Sequence, residues 1–281
     1  MPSQQIVLLA LQVSIFCIVF GFGLRCTVAD LLYLWRRPGL LVRSLLAVLV
    51  VMPLVAIAVT RWFDLRHTVE VVLVALAISP VPPLLPKKTG GPQPYTISLM
   101  ATLAVLAIAA IPLWVQVMSV LYARPLGVAP SRVATIVLVS ILLPLLAGVA
   151  VGRWAEVAAR LVRPVSLLGM VLLVLGALVI LIGAGDSIWV AVGDGTLVAV
   201  AMFVVIGLAV GHLLGGPEPD HAEVLGLASA CRHPVLSLAM ASANFPDEQF
   251  VGTILLYLLV SALLAIGFVA GHRRRHRVGA A

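Results

Sequence analysis

Long apolar runs constrain this chain more than any other feature. Nine of them stand between charged or Gly/Pro-rich breaks, and each is close to the roughly 20 residues that a helix needs to cross a bilayer. They lie at about 5–24, 41–60, 70–86, 95–120, 133–152, 164–184, 195–213, 222–243 and 250–270. Only 10% of the 281 residues are charged and 62% are hydrophobic, which excludes a water-soluble fold. The runs predict an all-α polytopic membrane protein with about nine transmembrane helices.

The distribution of Lys and Arg predicts the orientation in the membrane. If the C-terminal end is cytoplasmic, 13 of the 18 basic residues fall on the inside, 4 on the outside and one, Arg232, within the eighth run. The inside residues are Arg25, Arg36, Arg37, Arg43, Lys87, Lys88, Arg153, Arg160, Arg163, Arg273, Arg274, Arg275 and Arg277, and the outside residues are Arg61, Arg66, Arg124 and Arg132. Because Lys and Arg concentrate on the cytoplasmic side, we expect an odd number of spans.

This distribution predicts an integral protein of the bacterial plasma membrane, with the N-terminus outside and the C-terminus cytoplasmic. Its expected surroundings are membrane lipids, and the net charge of +7 needs no nucleic acid partner to explain it. The three cysteines are scattered and indicate neither a disulfide framework nor a zinc site. The sequence holds no HExxH, GxSxG, acidic-pair or phosphate-loop motif, so we expect no enzyme, no catalytic residue, no metal and no resident cofactor.

The third and eighth runs resemble each other. Glu70-Val-Val-Leu-Val-Ala-Leu-Ala aligns with Glu223-Val-Leu-Gly-Leu-Ala-Ser-Ala, and a proline break follows each stretch. The two runs enter the membrane from opposite faces in the predicted orientation, as an inverted repeat requires. Interrupted spans at matching places in two halves point to the binding site of a transporter.

The first break holds four prolines within seven residues. Each proline lacks an N–H and disturbs a carbonyl about one turn earlier, so the four cannot all lie in a continuous helix. Irregular backbone at membrane depth is tolerated only where it faces protein or a water-filled cavity. We therefore predict a discontinuous helix here, with a simple kink as the alternative. The candidate binding residues at this break are Ser79, Pro80, Pro82, Pro83 and Lys87, which is otherwise a loop anchor.

Arg232 lies at the second break, Arg232-His233-Pro234. A cation near the bilayer centre costs at least roughly 2.5 kcal/mol, yet no Asp or Glu lies in the middle of any predicted span. Glu223 is about 13 Å away along the same helix at 1.5 Å per residue, too far for a direct ion pair. The partners left to Arg232 are carbonyls of a broken helix, water or an external anion. Arg232 therefore stabilises the structure, contacts the substrate, or does both.

Further polar side chains could line a cavity with Arg232. His233 lies at a comparable depth and either titrates near neutral pH or serves only as a hydrogen-bonding group. Hydroxyl groups come from Ser229 and Ser237 in the eighth run and from Ser98 and Thr102 in the fourth. The alternative for each hydroxyl is an ordinary role in helix packing.

Several stretches resemble the bile acid:sodium symporter family, whose members carry organic anions. They are Gly21-Phe-Gly-Leu, Val28-Ala-Asp with Arg37-Pro38, Leu45–Leu54, Ser79-Pro80 in place of a Cys-Pro-Gly-Gly break, and Arg232–Ala239 with Asn244-Phe-Pro-Asp. The resemblance implies the family's ten-helix fold without its first helix, with an inverted repeat and two crossing discontinuous helices. It implies a panel domain of about 5–24, 133–152 and 164–184. The implied core domain comprises about 41–60, 70–86, 95–120, 195–213, 222–243 and 250–270.

The chain departs from its sodium-coupled relatives where the resemblance places their sodium ligands. Those relatives use a Glu and a Gln in the second crossing helix, a Ser-Asn pair in the first, and a Gln two helices earlier. The corresponding residues here are Ala228, Arg232, Leu85, Pro86 and Val48, while Ser98 and Thr102 have the spacing of a further hydroxyl pair. Leu, Pro, Val and Ala side chains offer no oxygen ligand, so we expect the Arg232 guanidinium to replace the bound cation.

The resemblance implies a secondary transporter of a small organic anion that works by alternating access, with sodium possible but not supported by these side chains. Three alternatives stay open. A cation/proton antiporter would need an intramembrane carboxylate, and a membrane enzyme acting on lipids would need an acid–base or metal constellation. The third alternative is a structural or signalling protein built on a transporter fold. The substrate and the oligomeric state are open at this point.

Overall fold

The structure is a computed structural model that describes residues 2–80, 94–183 and 185–278. Within these ranges the chain forms α-helices and turns, and no strand. The helices are α1 Pro2–Gly23, α2 Val28–Leu31, α3 Pro38–Leu45, α4 Met52–Trp62, α5 His67–Ala77, α6 Pro94–Leu121, α7 Pro130–Val137, α8 Leu143–Gly152, α9 Ala155–Gly183, α10 Gly185–Ala191, α11 Thr196–Leu214, α12 Pro219–Ala230, α13 Pro234–Asn244 and α14 Val251–Val278. π-Helical turns at Leu46–Val51 and Leu138–Leu142 join α3 to α4 and α7 to α8.

The predicted fold class, an all-α polytopic membrane protein, is confirmed. Seven helices in the described ranges are long and apolar enough to cross a membrane, and two shorter apolar helices, Gln12–Gly23 and His67–Ala77, accompany them. Each of the nine predicted spans overlaps one of these nine, although residues 81–86 of the third span lie outside the described residues. The helix at the sixth span begins at Ala155, earlier than the sequence suggested, and continues through Pro164. A proline inside a membrane helix is tolerated where neighbouring groups satisfy the carbonyl that it frees.

Two compact units divide the chain. Unit 1 comprises Met1–Arg37, Leu84–Ile108 and Pro130–Gly185, and unit 2 comprises Pro38–Pro83, Ala109–Ala129 and Asp186–Ala281. In unit 1, α1 packs against α8 and α9. Gly23 and Gly148 lie at the α1–α8 contact, where a Cβ on either residue would meet the backbone of the other helix. The division of the chain into panel and core domains stays a prediction.

In unit 2, three glycines spaced four residues apart let α11 approach α12 closely. A Cβ at any of them would stand within 3.0 Å of α12 backbone atoms, so only glycine fits. The glycines are Gly207, Gly211 and Gly215, and the α12 residues that they face are Ala230, Leu225 with Gly226, and Ala222. Small residues at this spacing are typical of helix pairs in membranes, where close backbone approach supplies the packing energy. The contact fixes α12, and with it the break that follows Ala230.

The π-helical turn at Leu46–Val51 leaves one carbonyl without a backbone donor. The N–H of Met52 bonds to the carbonyl of Ala47, five residues back, rather than to that of Val48. The next residue in the helix, Pro53, has no N–H to offer. The Val48 carbonyl is therefore free to accept a hydrogen bond from a side chain of another helix. π-Helical turns within α-helices are frequently found at functional sites.

The glycine contact of α11 predicts opposite effects for two glycine-to-alanine substitutions. Gly211→Ala drives a Cβ into the α12 backbone and should destabilise the protein by about 1–3 kcal/mol, as overpacked cores do. Gly267→Ala adds a Cβ where no atom lies within 4 Å, so it should be neutral or stabilising by up to about 1 kcal/mol. Thermal unfolding in detergent micelles measures both. Equal stability of the two variants would contradict the packing described for α11 and α12.

Candidate functional site

The interruption of the eighth span lies at residues 231–233. Helix α12 ends at Ala230, the backbone is extended at Cys231 and His233, and α13 begins at Pro234. In the predicted repeat Ala230 aligns with Ala77, and α5 indeed ends at Ala77. Ser79 and Pro80 follow α5 and are buried. Pro82, Pro83 and Lys87, like Leu85 and Pro86, lie outside the described residues.

The Arg232 side chain is completely buried, the largest that is so among the described residues. Its Nη1 and Nη2 atoms each donate to the Val48 carbonyl at 3.3 Å, and its Nε donates to the Ser229 carbonyl at 3.1 Å. No carboxylate forms an ion pair with it in the described part of the chain. The guanidinium thus uses three of its five N–H groups on backbone oxygens, and its charge is not neutralised.

The Val48 carbonyl accepts these bonds because of the π-helical turn and Pro53. The neighbouring carbonyl is that of Leu49. In a regular α-helix it would accept a hydrogen bond from the N–H of residue 53, which is a proline and has none. It accepts a hydrogen bond of 2.8 Å from the indole Nε1–H of Trp114 instead. Two consecutive carbonyls that the π-helical turn and Pro53 leave without their regular donors are therefore satisfied by side chains of other elements, as the bilayer interior requires.

The Tyr257 hydroxyl, on α14, bridges the break itself. It accepts a hydrogen bond from the backbone N–H of Arg232 and donates one to the carbonyl of Ala230, both at 2.7 Å. The ring is fully buried and lies against Phe203, with 6.4 Å between ring centroids. One phenol thus satisfies a donor and an acceptor that a continuous helix would have paired, because the interruption leaves both without their helical partners.

Three of the predicted residues meet beside Arg232. The Ser237 hydroxyl, on α13, lies 3.1 Å from that of Ser79 and 2.9 Å from the His233 carbonyl. Ser79 donates to the carbonyl of Ala75 at 2.8 Å. His233 caps α13, where its Nδ1 accepts from the Leu236 N–H at 3.4 Å. The serine pair joins α13 to the end of α5.

The Ser229 hydroxyl is buried and has no hydrogen-bond partner in the described ranges. Ser98 and Thr102 belong to unit 1. Ser98 accepts from the Leu34 N–H at 2.9 Å and donates to the Leu31 carbonyl at 2.7 Å, and Thr102 accepts from the Trp35 indole at 3.1 Å. These two hydroxyls therefore fasten the loop after α2 to α6.

Sequence reasoning missed Tyr257 and the backbone carbonyls of Val48 and Ser229. A tyrosine within the last apolar run was a readable signal, because its hydroxyl must find a partner at that depth. Pro53 was the signal for the free carbonyl, but the π-helical turn that shifts the register cannot be read from the sequence.

Removing the Tyr257 hydroxyl should destabilise the break. Tyr257→Phe leaves the N–H of Arg232 and the carbonyl of Ala230 buried without their partner, at a cost of about 1–3 kcal/mol. Ser261→Ala, also on α14, removes a hydroxyl whose one bond within the described residues is to the Leu258 carbonyl of the same helix, and it should cost less than about 1 kcal/mol. Comparison of their melting temperatures tests the bridge, and it is refuted if Tyr257→Phe is as stable as the native chain.

Comparison with known families identifies the chain. A model described as the Sodium Bile acid symporter family matches residues 12–191, more than half of the chain. The match extends from within α1 to the end of α10, so the break at Arg232 lies beyond it. A comparison with curated protein sequences finds no match.

Proposed function

From the premise that the chain belongs to the sodium bile acid symporter family, a family of transporters, we propose that it is a secondary transporter of a small organic anion. It works by alternating access between the two sides of the membrane. The Arg232 guanidinium takes the place of the bound sodium ion, so transport does not depend on sodium. The observation that carries this proposal is a fully buried cation held on two backbone carbonyls, with no acid of the described residues beside it.

The contacts of Arg232 support the replacement of sodium. In transporters of this general design, unwound backbone carbonyls at broken helices coordinate sodium. The resemblance aligns sodium ligands with Val48, Ala228 and Arg232. The guanidinium bonds to the carbonyl of Val48 and to that of Ser229, which follows Ala228. The guanidinium thus provides a permanent positive charge where a sodium-coupled relative binds a sodium ion from solution.

The charge also favours an anionic substrate. Arg232 has N–H groups beyond those that bond to carbonyls, and the adjoining α13 directs its N-terminus, the positive end of the helix dipole, toward the break. The hydroxyls of Ser79, Ser229 and Ser237 supply further polar groups at the same depth. An intramembrane cation without an acid is by default a candidate for substrate binding. The competing role for Arg232 is purely structural, because its guanidinium already bonds to the two carbonyls.

Uptake into proteoliposomes tests the proposal. We expect uptake of at least one labelled probe among a bile acid, a short keto acid and an alkyl sulfonate, at the same rate in sodium and in potassium medium. Arg232→Ala should abolish the uptake because it removes the charge that attracts the anion. Arg153→Ala, at the end of α8, should leave it intact.

Three results would each overturn a part of this proposal. Uptake that requires sodium and saturates with its concentration refutes the replacement of the cation. A folded chain that carries none of the probes refutes organic-anion transport. If Arg232→Ala fails to fold while Arg232→Lys transports normally, Arg232 stabilises the fold and does not bind the substrate.

The proposed orientation, with the N-terminus outside, has a direct test. Gly39 and Gly193 are exposed, and a Cβ at either residue meets nothing within 3.4 Å. In intact bacterial spheroplasts a membrane-impermeant maleimide should modify Gly193→Cys and spare Gly39→Cys. Labelled peptides identified by mass spectrometry distinguish these positions from the native cysteines. The reverse pattern would invert the topology.

A further inference from the structure

Unit 2 contains a cavity of about 190 Å³ between α5, the C-terminal half of α6 and the end of α13. Most of its wall is apolar and includes Val71, Val74, Ile78, Val115, Met118 and Met240. An apolar cavity of about 150 Å³ accommodates benzene, whereas pockets for drug-sized ligands begin at about 300 Å³. This cavity therefore suits one apolar group of the size of a branched alkyl or phenyl side chain.

The polar residues of the wall collect at one end of the cavity, which we call the mouth. Here α5 begins, α6 and α13 end, and the Arg124 side chain is exposed. The polar residues are His67, Glu70, Tyr122, Arg124 and Asn244. A ligand that fills the cavity and reaches the mouth must therefore have one apolar part and one polar part.

The charged groups at the mouth are not paired with one another. Arg124 Nη1 donates to His67 Nε2 at 3.1 Å, and an oxygen of Glu248 lies 3.5 Å from the same nitrogen. An oxygen of Glu70 lies 3.8 Å from the other nitrogen, Nδ1. Among the described residues Arg124 forms no ion pair with either carboxylate, and Glu248 Oε2 is buried without a hydrogen-bond partner. The guanidinium thus keeps N–H groups, and the carboxylates keep lone pairs, for a ligand.

Positive and negative charges are balanced around the mouth. The Arg61 guanidinium lies beside Tyr122, with 5.6 Å from its carbon to the ring centroid. Two guanidinium groups, those of Arg61 and Arg124, therefore accompany the two carboxylates of Glu70 and Glu248. A ligand with a single charge is attracted by one of these pairs and repelled by the other. A zwitterion can place each of its charges against a group of opposite sign.

We propose that this cavity binds a small apolar α-amino acid in its zwitterionic form. The apolar side chain fills the interior. The ligand carboxylate bonds to the Arg124 guanidinium, whose planar N–H groups match a carboxylate, and the ammonium group donates to Glu70. Neither the transport proposed above nor the role of Arg232 enters this inference.

Equilibrium binding of labelled leucine and labelled phenylalanine to the full-length protein in lipid nanodiscs tests the proposal. Three unlabelled competitors each lack one part of leucine: 4-methylpentanoate lacks the ammonium group, 3-methylbutylamine lacks the carboxylate, and glycine lacks the apolar side chain. We expect saturable binding that leucine displaces at a concentration at least about tenfold lower than any of the three, because each analogue leaves one part of the site without its partner. No saturable binding of either amino acid, or a competitor as effective as leucine, would overturn the proposal.

Two variants assign the charged groups of the ligand to their partners. In Arg124→Gln the carboxylate has lost its partner, so 3-methylbutylamine should compete as well as leucine does. In Glu70→Gln the ammonium group has lost its partner, so 4-methylpentanoate should compete as well as leucine does. Each comparison is made within one variant, so it does not depend on the fraction of protein that is folded.

Arg132→Gln is the matched control, because it removes an exposed guanidinium that does not line the cavity. It should leave the order of the competitors as in the native chain. If Arg124→Gln or Glu70→Gln also leaves that order unchanged, the amino acid binds elsewhere and the proposal is wrong.

Discussion

The bonds from the Arg232 guanidinium to the carbonyls of Val48 and Ser229 are the interaction on which the rest of the site depends. A bilayer offers no water to backbone groups, so a helix can be interrupted only where protein satisfies the freed donors and acceptors. Here Tyr257 satisfies the two backbone groups on either side of Cys231. Arg232 in turn satisfies the carbonyl that Pro53 and the π-helical turn release. The break and the buried charge thus stabilise each other.

Packing places these groups. Glycines on α11 let its backbone contact the backbone of α12. This contact holds the end of α12, and Arg232 follows two residues later. The Ser79–Ser237 bond joins the other half of the broken span to α5. The guanidinium donates three of its five N–H groups to backbone oxygens, and no carboxylate of the described residues forms an ion pair with it. In the function that we propose, this arrangement would attract an organic anion without a bound sodium ion.

The sequence predicted the membrane class, the nine apolar helices and the break at Arg232 because these follow from hydropathy, charge and proline, all of which are local properties. It aligned Ala77 with Ala230, and both residues end a helix. It did not predict the partners of Arg232. One of these partners, the Val48 carbonyl, lacks a backbone donor because of a π-helical turn. The pattern of side chains does not indicate where such a turn changes the hydrogen-bond register of the backbone. A second π-helical turn, at Leu138–Leu142, also precedes a proline, Pro144.

Melting temperature as a function of sodium tests the central claim, that the guanidinium stands where relatives bind the ion. The native chain should melt at the same temperature in sodium chloride and in potassium chloride. The double variant Ala228→Glu, Arg232→Gln replaces the cation by the residue types of the sodium-coupled relatives, so sodium should raise its melting temperature, as any ligand of the folded state does. A melting temperature of the native chain that rises with sodium and not with potassium would contradict the account.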